Sequence, residues 1–115
     1  MIRVLVAIAP TMYRQTVTLF LRSQRQHLEV ESADHLADLE RECALFEPHL
    51  LVCHDGVPEG ARNRAFSLVE IHYSDGLDAL VKMNDKDPRR VEDIEIEDLL
   101  AVVDETEEMV SKRSG

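Results

Sequence analysis

His54 and Asp55 stand side by side at the end of a continuous apolar run, residues 50–53, and His72 stands near the end of the next strand-like segment. Imidazole and carboxylate are ligands that suit Zn²⁺, and a neutral imidazole is also a nucleophile. His54, Asp55 and His72 are therefore the candidates for a metal or small-ligand site, and His54 alone for phosphotransfer. Against this, Asp55-Gly56 is ordinary turn chemistry, and a strand-end histidine is more often a hydrogen-bonded loop residue than a ligand. Cys43 and Cys53 lie inside apolar patterns and read as buried small hydrophobes rather than a disulfide. His27, His35 and His49 are scattered without metal-ligand spacing. The chain has no Gly-rich phosphate loop, no Ser/His/Asp signature and no Cys-x-x-Cys motif. Neither an enzyme nor a cofactor is expected.

The elements that must position these residues alternate in type. Residues 2–8 form a nearly continuous apolar run, as expected of a central strand covered on both faces. Residues 11–25 follow as a helix in which Tyr13, Val17, Phe20 and Leu21 recur at three and four, with Arg14, Arg22 and Arg25 elsewhere on its surface. A short strand at 28–31 leads to Ser32 or Asp34, either of which suits the cap of a helix carrying Leu36, Leu39, Cys43 and Phe46; Pro48 ends it. The run 50–53 is another buried strand. Residues 59–65 offer barely two helical turns and no stripe. Residues 67–73 alternate, Val69, Ile71 and Tyr73 against Glu70 and His72, which predicts a strand with one wet face. Ser74-Asp75-Gly76 is a turn, 79–83 a further strand, and 89–94 pairs with it as a hairpin. The last element is a helix over 95–110 with Ile96, Leu99, Leu100 and Val103 buried. Residues 1–110 read as one domain and 111–115 as a flexible tail.

Ile2-Arg3-Val4-Leu5-Val6-Ala7, followed after three residues by Thr11-Met12-Tyr13-Arg14, resembles the first strand and helix of a response-regulator receiver domain from two-component signalling. Residues 48–58, with Pro48 before the strand and Pro58 in the loop after it, look like that family's third strand. Residues 76–82, ending in Lys82, are similar to its fifth. The resemblance implies a three-layer, flavodoxin-like α/β fold with a parallel sheet of order 2-1-3-4-5, here with the third and fourth helices reduced and a hairpin in the C-terminal half. It also assigns the site. The family's acidic pair, which holds Mg²⁺ through carboxylate oxygens, falls on Ile8 and Ala9. The phosphate-accepting aspartate falls on His54, with Asp55 one residue later and, within a strand, aimed at the opposite face. Ser74 stands for the hydroxyl residue, and Lys82 for the lysine, followed by Met83 instead of proline. The resemblance thus implies a pseudo-receiver: a signalling or protein-interaction module that works without aspartyl phosphorylation. The expected core is Val4, Val6, Val17, Phe20, Leu21, Leu36, Leu39, Leu51, Val52, Val69, Ile71, Leu80, Leu99, Leu100 and Val103.

Composition bounds the partners. The chain has 115 residues, 44% of them hydrophobic, and a formal net charge of −10. That is one ordinary domain with a real core. The acidic balance lacks the clustered basic surplus a nucleic-acid binder needs, and no run of about 18 apolar residues points to a membrane span. The short apolar stretch near the start does not read as a secretion signal, so the cytoplasm is the default. Of the net charge, −7 falls after Val91. Glu97, Asp98, Asp104, Glu105 and Glu108 of the last helix are therefore either a solvated face or a docking surface for a basic partner. Reduced helical cover should leave apolar sheet surface exposed. A homodimer or a protein partner is expected there, through the fourth and fifth strands and the last helix.

Overall fold

The computed structural model describes the chain except residues 1, 9–10, 34–37, 55–56, 58, 63–64, 74–76, 84–86 and 115. Its element order is β1 (Arg3–Ala7), α1 (Thr11–Gln24), β2 (Glu29–Ser32), α2 (Leu39–Phe46), β3 (Leu50–His54), α3 (Glu59–Arg62), β4 (Ser67–Tyr73), β5 (Leu77–Met83), β6 (Arg89–Val91) and α4 (Ile96–Ser114). The continuous apolar runs became the strands buried on both faces: Val4 to Ala7 of β1 and Leu50 to Cys53 of β3 are all buried. The alternating run became β4. Pro48 follows Glu47, which leaves α2 in the left-handed conformation at φ 51° while its N–H donates to the Cys43 carbonyl. Such a turn both satisfies a terminal carbonyl and stops the helix.

The six strands form one sheet of order β2-β1-β3-β4-β5-β6. The chain is an α/β fold with a mixed sheet, which corrects the expectation of a parallel one. β2, β1, β3 and β4 run parallel, but β5 pairs antiparallel with β4 over the whole of Ser67↔Met83 to Tyr73↔Leu77, and β6 antiparallel with β5. The reason lies in chain length. Only three residues separate Tyr73 from Leu77, whereas a parallel return needs a crossover of a dozen or more. With so short a connection the chain reverses, and β5 returns antiparallel to β4. The expected hairpin of 79–83 with 89–94 is present as β5 and β6.

Two clusters of buried side chains lie on opposite faces of the sheet. One joins Val4, Val6, Leu50, Val52, Val69, Ile71 and Val81 to Val17 and Leu21 of α1 and to Leu99, Val102 and Val103 of α4. The other joins Leu5, Ala7, Leu51, Cys53 and Leu68 to Leu39 and Cys43 of α2 and Ala61 of α3. Most of the expected core is here. Phe20, Leu80 and Leu100 are only half-buried, and Leu36 lies outside the described residues. α4 continues to Ser114, past the helix end expected at Val110. Its last turns carry Glu108 and Lys112, four residues apart and 3.0 Å between Oε1 and Nζ, the favourable orientation for such a pair. Among the described residues no helix is long and apolar enough to cross a membrane.

The N-terminal ends of β1 and β3 are fastened by polar groups. The Arg3 backbone N–H donates to His49 Nδ1 at 3.0 Å, and the His49 N–H donates to the Arg3 carbonyl at 2.8 Å. Arg3 Nε donates to the carbonyls of Phe46 and Glu47, both at 2.9 Å. As an acceptor at Nδ1, His49 must be neutral, and burial followed by the nearby Arg3 charge holds its pKa below the ordinary histidine value. The unfolded chain then binds a proton that the folded chain refuses, so stability should be full above about pH 6.5 and decline as pH falls below it, until the folded ring also titrates. Urea midpoints measured between about pH 7.5 and pH 5 should show this decline. It should be smaller in His49→Asn, whose amide oxygen accepts the same bond without titrating.

Candidate functional site

In open α/β sheets ligands bind outside the C-terminal ends of the parallel strands. Ile8 follows β1 there and is buried at 1% exposure, and His54 ends β3, half-buried. By alternation His54 shares the face of Val52, the face covered by α1 and α4. Beside Ile8 stands a residue whose charge did not announce its burial. Arg14 was expected outside the apolar stripe of α1, yet it is 8% exposed. Its guanidinium reaches back to the end of β1, with Nη1 3.5 Å from the Ile8 carbonyl and Nη2 3.4 Å from Thr11 Oγ1. The signal was available in the spacing: Arg14, Val17, Thr18 and Leu21, at i, i+3, i+4 and i+7, are the buried residues of α1. The cavity beside this corner is about 50 Å³ and is lined by Ile8, Tyr13, Val17, Val52, Ile71 and Leu99, with Glu95 at its side. Organic cofactors occupy pockets of roughly 300 Å³ or more. This one is too small for such a group.

The remaining candidates are not gathered at this corner. Ala9, Asp55 and Ser74 lie outside the described residues. Lys82 is exposed and pairs with Leu68, itself level with Leu51, whereas His54 is level with Ile71. Three strand residues, about 10 Å, separate the two levels. Reversal of β5 thus carries Lys82 toward the other end of the sheet and onto the opposite face. His72 is also on the opposite face from His54, because it shares the face of Glu70, with His72 Nε2 2.9 Å from Glu70 Oε1. The structure does not bring His54 and His72 together. Among the described residues no group of three or more His, Cys, Asp or Glu is placed to hold a metal ion.

The half of the sheet that α2 and α3 leave uncovered was expected to be apolar. It is charged. Glu70, 5% exposed, holds His72. Directly opposite His72 across the strand pair is Asp78, which accepts from Arg90 of β6 and, at 3.2 Å, from the Asp93 backbone N–H. The Arg90 hydrogen bond, then that of Asp93, holds the Asp78 carboxyl below the usual carboxylate range. His72, Asp78, Leu80 and Arg90 line an open depression of about 370 Å³. The His72–Glu70 and Arg90–Asp78 pairs make the described part of this face polar rather than apolar.

The acidic residues of α4 are largely engaged at home. Arg25 makes a two-pronged pair with Asp104, Nε to Oδ1 at 3.0 Å and Nη2 to Oδ2 at 2.9 Å. That hydrogen bond holds the Asp104 carboxyl below its ordinary range. His27 meets both oxygens of Glu107, at 2.8 and 3.0 Å. Arg89 of β6 reaches Glu105 at 3.1 Å, Glu108 pairs with Lys112, and Asp98 accepts from the Glu95 N–H at 2.8 Å, capping the helix start. Of the five acidic residues expected to form a docking surface, Glu97 is exposed and the other four serve the fold as well. Each exposed pair is weak alone, but together they hold α4 along both flanks, to the end of α1 and to β6.

No family model matches the chain, and no curated protein matches it. Among solved structures, a methionyl-tRNA formyltransferase from Clostridium thermocellum is similar in fold, with a TM-score of 0.57 at 11% sequence identity over 98% of this chain. This chain spans 66% of that one. At such identity the likeness concerns the arrangement of strands and helices, and one fold of this class hosts many unrelated functions.

Proposed function

We propose that the chain is a receiver-like signalling or protein-interaction module that acts without phosphorylation, in the cytoplasm, and is not an enzyme. The observation that carries this reading is the end of β1. Where a receiver needs carboxylates for Mg²⁺, this chain has the buried Ile8, with the Arg14 guanidinium directed at its carbonyl. A fixed cation at that point opposes a divalent cation, and a hard cation finds no oxygen ligand in the isoleucine side chain. The displacement of Lys82 by the reversed β5 supports the same reading. A flavodoxin-like ancestry with strands two, one, three, four and five in receiver order fits the spatial order seen. The surface for a protein partner is the outer side of α4, where Glu97, Asp98, Asp104 and Glu108 are exposed, and the partner is basic, since the unpaired part of that charge remains negative.

Titration with Mg²⁺ tests the site directly. Isothermal calorimetry and amide chemical shifts are expected to show no saturable binding. A millimolar or tighter site, abolished by Asp55→Asn, would overturn the reading.

A further inference from the structure

We infer that Arg22 closes the β2 edge of the sheet against the addition of a further strand. β2 ends the sheet, with β1 as its neighbour among the described residues. The N–H groups of Glu29 and Ala33 donate to the carbonyls of Ile2 and Val6 of the β1 segment. By alternation Val30 and Ser32 turn their backbone groups the other way, to the open side. Such a row is a template for pairing with another chain. An open depression of about 460 Å³, lined by Arg22, Gln26, Leu28, Glu29, Val30 and Glu31, runs along it, so an extended segment has room to approach.

The guanidinium occupies the place an added strand would take. Arg22 Nη2 and Nε donate to the Val30 carbonyl at 2.6 and 3.0 Å, and Nη2 also lies 3.9 Å from Glu31 Oε2. Val30 packs in the core on the α1 side of the sheet, whereas Glu31 is level with Leu5, which belongs to the core on the other side. The Arg22 side chain therefore lies across the strand edge from one face to the other. An incoming N–H would need the same carbonyl at about 2.9 Å, so the two donors compete, and the charged one makes the stronger bond. A second barrier opposes a second copy. Glu29 and Glu31 are exposed on one face of β2, and pairing β2 with β2 would set like charges together. The opposite edge, β6, is three residues long and preceded by Pro88, with Arg89 and Arg90 exposed; an edge of that kind is already blunt. Removal of Arg22 thus opens the longer of the two edges.

Arg22→Met keeps the aliphatic stem and removes the donors, and it is compared with the wild type in about 0.5 M NaCl, where a Debye length of about 4 Å screens the glutamates. Sedimentation velocity from about 10 µM to 1 mM is expected to show the variant associating roughly tenfold or more tightly than the wild type, the worth of one charge-assisted hydrogen bond. Hydrogen exchange at the same concentrations should show the Val30 and Ser32 amides slowing in the associated variant and not in the wild type. A variant that keeps the wild-type sedimentation together with a native circular dichroism spectrum overturns the proposal. So does a wild-type chain whose Val30 and Ser32 amides slow as its concentration rises, a result that needs no variant to fold.

Discussion

Leu51→Ala is expected to lower the unfolding free energy by about 2–5 kcal/mol. Leu51 sits in β3 between β1 and β4, level with Leu5 and Leu68, and has no exposed surface. Its side chain packs in the smaller of the two cores, with Leu39 and Cys43 of α2 and Ala61 of the single-turn α3. Truncation removes the transfer energy of the lost carbon atoms and leaves a cavity in a layer held by short helices. If α2 and α3 settle inward, the loss falls at the lower end of the range. A urea denaturation series gives the value directly. A change under about 1 kcal/mol would mean that Leu51 is not at the centre of a packed layer.

Thr106→Val should cost about 1–3 kcal/mol despite its nearly unchanged shape. Thr106 is fully buried on the inner side of α4, where its hydroxyl is 2.8 Å from the Val102 carbonyl and 3.0 Å from the hydroxyl of Ser67, itself buried at the start of β4. This bond joins the last helix to the sheet. Valine leaves the Ser67 hydroxyl buried and short of a partner, which is the expensive half of the change. Ser67→Ala in the same chain removes that orphaned group. The double variant is therefore expected to be more stable than Thr106→Val alone. Strict additivity of the two losses would show that the hydroxyls do not interact in solution.

Much of the N-terminal half was legible because its signals are local. The apolar runs at β1 and β3, the stripe of α1, Pro48 and the alternation of β4 each depend on neighbours within a few residues. The direction of β5 was legible too, since three residues between two strands permit a hairpin and forbid a crossover. The likeness of residues 76–82 to a receiver's fifth strand points to a parallel strand instead, and the length of the loop before it overrides that likeness. Arg14 was missed for a related reason. Its spacing from Val17 and Leu21 places it on the buried side, but its charge argues for solvent, and only the carbonyl at the end of β1 and the Thr11 hydroxyl make the burial tolerable. The pairing of the α4 acids was not legible at all. Arg25 and His27 lie about 80 residues away in sequence, and nothing local announces that α1 and α4 will lie side by side on one face of the sheet.

These placements bear on function together. A receiver's chemistry requires carboxylates, an acceptor and a lysine at one end of one sheet. Among the described residues, that end here has the buried Ile8 and the Arg14 guanidinium, and Lys82 lies toward the other end of the sheet. The chain has an α/β frame and an acidic last helix fastened along both flanks. The most direct measurement is intact mass after incubation with acetyl phosphate and Mg²⁺. The account predicts an unchanged mass; a phosphoryl adduct located on Asp55 would contradict it.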